Sequence, residues 1–329
     1  MDWLILAVGA GVALAASAAL VTALERLGAR FGFPEATLGL MVALAADSPE
    51  VSSAVTAYVR GDASLGAGIV LGSNAFNLAA LLGLGAVVAG RIALHRRVVL
   101  FEGAVALAIA ALAVVTIAGL ADPAVCTALM VAILIPYVVL SALPPERRPQ
   151  VPLPQAWRTW LAGAVAEEEL ELLTAIMPAK GTWRDGVVAA VTIPAVVAAS
   201  ALMEGAASSL GSRHGVPEIV TGGVVLAAIT SLPNAVAAVY LARRGRGPAA
   251  FSVALNSNTV NILVGLMIPA VIASGVSLTS DAALITAAYA GLTVVTLGLA
   301  WLSRGLGRWA GVLIIALYLA FVGLLIATG

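Results

Sequence analysis

The sequence predicts an all-α integral membrane protein: ten transmembrane helices in two inverted five-helix repeats, with broken helices at the centre. Three observations carry that expectation. Of the 329 residues, 61% are hydrophobic and 10% charged, and the mean hydropathy is +1.07, which excludes a soluble globular domain. The second is an internal repeat at an offset of 184, without a gap. It carries Gly39 to Gly223, Ala43 to Ala227, Pro49 to Pro233, Arg60 to Arg244 and Gly61 to Gly245. Ser73, Asn74 and Asn77 go to Ser257, Asn258 and Asn261 in the same way. Such a repeat dictates architecture. The third is the distribution of positive charge, which sorts onto one face.

In chain order, spans are expected at 3–24, 36–59, 64–90, 98–119, 122–142, 186–210, 217–242, 248–274, 281–302 and 308–328. Each is near the roughly 20 apolar residues that cross a hydrocarbon core. Met1-Asp2-Trp3 lacks a basic n-region, and the apolar run through Leu24 is long enough to span, so the start reads as a helix and not as a cleaved signal. Cys126, the only cysteine, excludes an internal disulfide and reads as a small core residue.

One set of alternate loops holds 15 of the 17 lysines and arginines: Arg26, Arg30, Arg91, Arg96, Arg97, Arg147, Arg148, Arg158, Lys180, Arg184, Arg243, Arg244, Arg246, Arg304 and Arg308. The other set holds Arg60 and Arg213. Positive loops stay inside. The reading is therefore a bacterial-type plasma membrane with both termini outside and the 143–185 loop cytoplasmic. The second span then begins inside and the seventh outside, so the two copies of the motif are inserted upside down relative to each other. Residues 1–142 form the first repeat (motif 39–84) and 186–329 the second (motif 223–266). Inverted repeats with paired interrupted helices mark the midplane site of a secondary transporter.

The 143–185 loop starts stiffly at Pro144, Pro145, Pro149, Pro152 and Pro154. Around Trp157 and Trp160 a short interfacial helix is expected, ending in Glu167-Glu168-Glu169-Leu170-Glu171. That acidic run reads as a solvated face, with a regulatory ion site as the alternative.

Chemistry concentrates where polar residues interrupt the repeats. Proline within a helix removes one hydrogen bond and clashes with the carbonyl four residues back. Pro49 thus frees the carbonyl of Ala45, and Pro233 that of Ile229. Inside a membrane such backbone is tolerated only in a protein-lined or wet cavity. Free carbonyls, carboxylates and side-chain amides make a hard-oxygen site, suited to Na⁺ or Ca²⁺. Asp47 and Glu50 are i,i+3; Ser73 and Asn77, Thr230 and Asn234, and Ser257 and Asn261 are i,i+4, so each pair shares a helix face. A buried carboxylate costs about 2.5–3.5 kcal/mol at a helix centre on insertion scales, which a bound cation or proton would offset. The alternative for both Glu50 and Asp47 is helix–helix hydrogen bonding, and the spacing leaves both readings open. Serine and asparagine also glue membrane helices together without binding anything.

The two repeats resemble the α-repeats of the cation/Ca²⁺ exchanger superfamily, whose best-known members are sodium/calcium exchangers. The segments carrying the resemblance are Ala46-Asp47-Ser48-Pro49-Glu50 with Gly72-Ser73-Asn74-Ala75-Phe76-Asn77, and Thr230-Ser231-Leu232-Pro233-Asn234 with Asn256-Ser257-Asn258-Thr259-Val260-Asn261. It implies that Glu50 is the central ion ligand, beside Asn77, Ser73 and the carbonyl of Ala43. Thr230, Ser231, Ser257 and the carbonyl of Ala227 are implied as their mates, and access would alternate as the first and sixth helices slide. The sequence departs from the family pattern at Asn234 and Asn261, where acids are usual, and at Ala46 and Asp47, which replace a threonine and a serine. Two carboxylates remain, Glu50 and Asp47, both from one half. That charge neutralises one Ca²⁺ or two Na⁺, or takes up protons.

Among other acids, Glu102 is expected at the interface beside Arg96 and Arg97. Glu204, deeper in its span, is read as interfacial or hydrogen-bonded, with a role in gating or proton entry as the alternative. His95 and His214 flank opposite faces and suggest no catalysis. The leading function is a Na⁺/Ca²⁺-type cation antiporter. Its alternatives are Na⁺/H⁺ antiport on the same fold and a non-transporting ion sensor. An intramembrane protease wants acids on different helices, which neighbouring Asp47 and Glu50 are not, and inverted repeats argue against a channel. No catalytic residue or cofactor is expected. The partners are small cations (Na⁺, Ca²⁺ or H⁺) and lipid, not nucleic acid, and one chain is the expected transport unit.

Overall fold

The computed structural model describes residues 1–31, 44–143, 154–173, 180–232, 234–235, 247–272 and 280–328. They are almost wholly helical. The elements are α1 (Asp2–Phe31), α2 (Ser48–Arg60), α3 (Ala63–Ala89), β1 (Arg91–Ala93), α4 (Arg96–Ile117), α5 (Pro123–Ala142) and α6 (Gln155–Leu173). They continue with α7 (Trp183–His214), α8 (Glu218–Thr230), α9 (Gly247–Val260, carried on through Asn261–Met267 to Ile268–Ile272), α10 (Ser280–Ser303), β2 (Gly305–Gly307) and α11 (Arg308–Thr328). Among the described residues eight helices are long and apolar enough to cross a membrane: α1, α3, α4, α5, α7, α9, α10 and α11. The expected spans 36–59 and 217–242 are described only in part, as α2 and α8. Residues 32–43, 233 and 236–246, with Gly39, Ala43 and Pro233 among them, lie outside the described residues, as does most of the proline-rich start of the loop. Trp160 of α6 packs with Phe101, Tyr137 and Ala164, while Trp157 is exposed.

Burial orders the helices. In α3, 94% of the membrane-length window is buried, against 17% in α5 and 28% in α11. Helix α3 is therefore the hub, and α5 and α11 offer apolar flanks to lipid. What lets α3 sit so deep is its glycines. A methyl group on Gly72 would run into the backbone of Gly223, and one on Gly222 into the carbonyl of Leu65. Helices α3 and α8 thus cross backbone against backbone, the contact that small residues allow between membrane helices. Wider π-type turns follow at Leu78–Leu84, Thr221–Leu226 and Asn261–Met267, a local form often found at functional sites.

Helices α1 and α7 form an antiparallel pair with a polar contact at each end. Arg26 pairs with Asp185 at 3.4 Å and Arg30 donates to the carbonyl of Gly181 at 3.3 Å. At the opposite end Arg213 pairs with Asp2 at 3.1 Å, and Ser209 donates to the same carboxylate at 3.2 Å. At 30 and 32 residues both helices exceed what a perpendicular crossing needs.

An ion pair between Arg60 at the end of α2 and the buried Glu204 on α7 ties this pair to α2. That assigns Glu204 a partner the sequence did not name. Arg60→Ala leaves a buried carboxylate uncompensated. We expect it to cost about 1–3 kcal/mol, below the 3–5 of a wholly buried pair because Arg60 is half exposed. In thermal unfolding, Arg60→Ala combined with Glu204→Gln should recover most of that loss. No recovery would show that the pair is not what the mutation breaks.

Candidate cation site

The site begins with a proline. Pro49 in the first turn of α2 has no N–H to donate to the carbonyl of Ala45. The vacated carbonyl is taken by two hydroxyls, Ser48 Oγ at 2.6 Å and Ser17 Oγ of α1 at 2.9 Å. Helix is interrupted at Asp47, between a turn at 44–46 and α2. Although Asp47 stands at the N-cap, its carboxylate makes no capping bond. It reaches across to the second half of the chain.

Asp47 Oδ1 accepts from Ser257 Oγ at 2.6 Å and from Asn234 Nδ2 at 2.8 Å. Glu50 Oε1 accepts from Ser231 Oγ at 2.9 Å and from the same Asn234 amide at 3.4 Å. Asn77 Nδ2 donates to Ser257 Oγ at 3.2 Å and to Asn258 Oδ1 at 3.1 Å. Asn74 and Asn258 are reciprocal: each side-chain amide donates to the other's backbone carbonyl, at 2.9 and 3.1 Å. Asn261 Nδ2 donates to Asn74 Oδ1 at 3.2 Å. All these side chains are at most 2% exposed. The cluster joins α2 and α3 to α9 and to the segment that follows α8.

Hydrogen bonding leaves a set of oxygens over. Among the described residues Asp47 Oδ2, Glu50 Oε2, Ser73 Oγ, Asn77 Oδ1 and Asn261 Oδ1 are buried without a hydrogen-bond partner. Buried polar atoms ordinarily find partners, and one unsatisfied group costs about 1–3 kcal/mol. Four of these oxygens belong to side chains of the bonded network and Ser73 lies one turn before Asn77 on α3; two come from carboxylates, and oxygen is the ligand type that hard cations take. Two neighbouring carboxylates also repel each other at short range in a medium poorer in water than bulk. A cation relieves both costs together.

Of the residues singled out from sequence, Glu50, Asp47, Asn77, Ser231, Asn234 and Ser257 meet directly. Asn261 is tied in through Asn74. Ser73 lies one turn before Asn77 on α3, buried and unbonded. Thr230 is buried too, but its hydroxyl donates back to the Leu226 carbonyl at 2.9 Å. The Ala227 carbonyl accepts from Ser231 N at 3.1 Å and from Thr230 Oγ1 at 3.4 Å. Ala43 lies outside the described residues. The sequence reading missed Ser17, and it missed Ser53, buried and unpartnered one turn beyond Glu50. For Ser17 the available signal was a serine inside an apolar run; for Ser53 it was the i,i+3 spacing from Glu50.

Glu102 is covered by protein: it is 2% exposed and its Oε1 accepts from Ser252 Oγ of α9 at 2.6 Å, a partner that the sequence of α4 alone does not show.

A family model described as sodium/calcium exchanger protein matches residues 1–143 and 186–327. Among curated relatives, sodium/potassium/calcium exchanger 4 of Mus musculus is 41% identical over 70 residues, 21% of this chain and 11% of that protein. Sodium/potassium/calcium exchanger 2 of Gallus gallus is 34% identical over 131 residues, 37% of this chain and 20% of that protein. The matches thus span a tenth to a fifth of those relatives' length. Among solved structures, the H⁺/Ca²⁺ exchanger CAX superposes with a TM-score of 0.70 at 14% identity, covering 99% of this chain and 86% of that one. The sodium-calcium exchanger NCX_Mj, soaked with 10 mM Na⁺ and zero Ca²⁺, gives 0.60 at 18% identity and 98% of both chains. At such identities the likeness is one of fold.

Proposed function

The chain belongs to the sodium/calcium exchanger protein family, and from that premise we propose that it is a secondary active cation antiporter with Glu50 and Asp47 at the centre of its ion site. It is an integral membrane protein of a family of exchangers, not of enzymes. In this reading, residues 1–142 and 186–329 are inverted repeats meeting at mid-membrane. Both termini face out and the 143–185 loop faces the cytoplasm.

Pairing across the two halves supports the inversion. The offset of 184 exchanges Asp47 with Ser231 and Glu50 with Asn234. It therefore turns the Asp47–Asn234 bond into the Glu50–Ser231 bond, and both are present. The reciprocal Asn74–Asn258 bonds obey the same exchange. Contacts that map onto each other this way are what a twofold axis between the halves produces, and in this reading the one-sided positive loops turn that axis into the membrane plane.

The observation that carries the reading is the set of orphaned oxygens around Asp47 and Glu50. An incoming cation binds Asp47 Oδ2, Glu50 Oε2 and the neutral oxygens of Ser73, Asn77 and Asn261, the last two through their amide Oδ1. Helices α1 and α7, joined at both ends, slide as one unit. Ser17 keeps α1 in touch with the broken segment through the Ala45 carbonyl. The antiport step is the replacement of one cargo by another while the site faces one side.

In proteoliposomes, an outward Na⁺ gradient is expected to drive calcium-45 uptake that collapses when the gradient is dissipated. No calcium-45 uptake under either an outward Na⁺ or an outward H⁺ gradient would contradict calcium antiport. A second reading, Na⁺/H⁺ exchange, is favoured by the neutral Asn234 and Asn261. Sodium-22 flux driven by a pH gradient, with no calcium flux, would select it. Ion-dependent thermal shifts without any flux would mark a sensor.

A further inference from the structure

We infer that the seam between α2 and α7 is the route by which the transported cation reaches Asp47 and Glu50 from one face of the membrane. Glu204 is a stopping place on that route, and Arg60 is a tethered cation that fills the place while the seam is shut. The inference rests on the antiport reading and adds where the cargo enters.

Two ties fix how α2 lies along the α1–α7 pair. At the inner one, Ser17 of α1 donates to the Ala45 carbonyl just before α2. At the other, Arg60 in the last turn of α2 pairs with Glu204 of α7. From the Arg26–Asp185 pair that joins α1 to α7, Ser17 is nine residues along α1 and Ser200 fifteen along α7. At about 1.5 Å per residue, Ser200 therefore stands beyond the Ser17 tie, and it is one turn short of Glu204. On α2, Glu50, Ser53 and Arg60 follow at i, i+3 and i+10 and share a face. Ser200 and Glu204, at i,i+4, share one on α7. Arg60 and Glu204 turn these two faces toward each other.

That stretch of seam carries a row of unused oxygens. Glu50 Oε2, Ser53 Oγ, Ser200 Oγ and Glu204 Oε1 are all buried without a hydrogen-bond partner, and the four residues are fully covered. Orphaned polar atoms are uncommon in protein interiors. A hard cation leaving water needs oxygens in place of its hydration shell, and this row supplies them from Glu204 to the central cluster. The Arg60 end is built for exchange. Gly205 leaves room for the guanidinium, since a methyl there would meet Arg60 Nη1 at 2.9 Å. Arg60 is half exposed, so an arriving cation displaces it from Glu204 into water without breaking a buried contact elsewhere.

The internal repeat shows that packing does not demand these groups. An offset of 184 lays α1 (Asp2–Phe31) on α7 (Trp183–His214) to within three residues. It sets Leu20 against Glu204, Ala16 against Ser200, Val21 against Gly205 and Ala237 against Ser53. Only the arginine is kept, as Arg244. Leu20 is buried in an apolar cluster, so the helix closes at that position without a carboxylate. The polar row belongs to one seam alone.

The test uses the intact protein with Ser53→Ala and Ser200→Ala combined, which leaves the Arg60–Glu204 pair in place. Flux is followed in proteoliposomes with calcium-45 or sodium-22, whichever the unmodified protein carries. Both hydroxyls are unbonded, so their loss is expected to leave the thermal midpoint unchanged or raised. Equilibrium binding of the same ion in detergent should stay within a few-fold, while exchange falls at least about tenfold because the ion now crosses an apolar stretch. Flux at the wild-type rate would overturn the route. A lowered midpoint, or binding that falls along with flux, would also overturn it, by making the serines helix contacts or ligands of the central cluster. Absence of both fluxes in the unmodified protein would instead remove antiport itself. In a second arm, Arg60→Ala leaves Glu204 open to free cations. Calcium chloride should then raise its thermal midpoint more than that of Arg60→Ala with Glu204→Gln. Equal responses would remove Glu204 as a stopping place.

Discussion

Glu50→Gln is expected to lower cation exchange at least about 100-fold while leaving the protein folded and monodisperse in detergent. The side chain is wholly buried, with Oε1 held by Ser231 and Asn234 and Oε2 unpartnered in the cluster. Glutamine keeps the shape and can still present its Oε1 to Ser231 and Asn234, so the fold retains its bonds. What disappears is a charge, and a donor takes the place of the acceptor that faced the cation. Removing one partner from a buried ionic contact costs about 3–5 kcal/mol. At about 1.4 kcal/mol per factor of ten, that is two to three orders of magnitude in cation affinity. Calcium-45 and sodium-22 uptake measure the loss, and size-exclusion profiles establish that the variant is folded. Uptake within a few-fold of the unmodified protein would remove Glu50 from the transport path.

The second large effect concerns the fold. Gly72→Ala adds one methyl group where α3 meets α8, and the obstacle is the backbone of Gly223, which cannot rotate away. Overpacking of ordinary cores costs about 1–3 kcal/mol, and a backbone obstacle places this substitution at or above the upper end. Gly11→Ala is the control, because nothing lies within 4 Å of its added methyl. Its effect should be neutral to stabilising by up to about 1 kcal/mol, as for glycine to alanine in a helix interior. We expect Gly72→Ala to lower the thermal midpoint and the yield of monodisperse protein, with Gly11→Ala lowering neither. Equal behaviour of the two variants would mean that the close helix crossing is not needed.

Much of the site was legible in the chain itself. A proline near a span's middle and a serine–asparagine cluster one helix later recur at a fixed offset, and the first copy alone adds a carboxylate beside the proline. Pro49 led directly to the freed Ala45 carbonyl, and its acceptance of Ser17 and Ser48 is a consequence of that chemistry. Which way Asp47 points was not legible. Its i,i+3 relation to Glu50 fixes a helix face, but the groups it meets, Asn234 and Ser257, lie 187 and 210 residues away in sequence. Only tertiary packing brings them together. The π-type turns after Asn77 and at Asn261 were invisible for a similar reason, since apolar residues show no period that separates 3.6 from a wider turn. The cover over Glu102 was not legible either, because the distance to a span's end says nothing about a neighbour such as Ser252 on α9.

The central claim is that the oxygens left over by hydrogen bonding around Asp47 and Glu50 hold a cation. Anomalous diffraction from crystals soaked in strontium, a heavy mimic of calcium, tests it most directly. The account predicts a peak at about 2.3–2.6 Å, the range for calcium-like ions, from Asp47 Oδ2 and Glu50 Oε2, weakened when sodium is raised. A peak confined to the 143–185 loop or the protein surface, with the Asp47–Glu50 cluster vacant at saturating strontium, would contradict it.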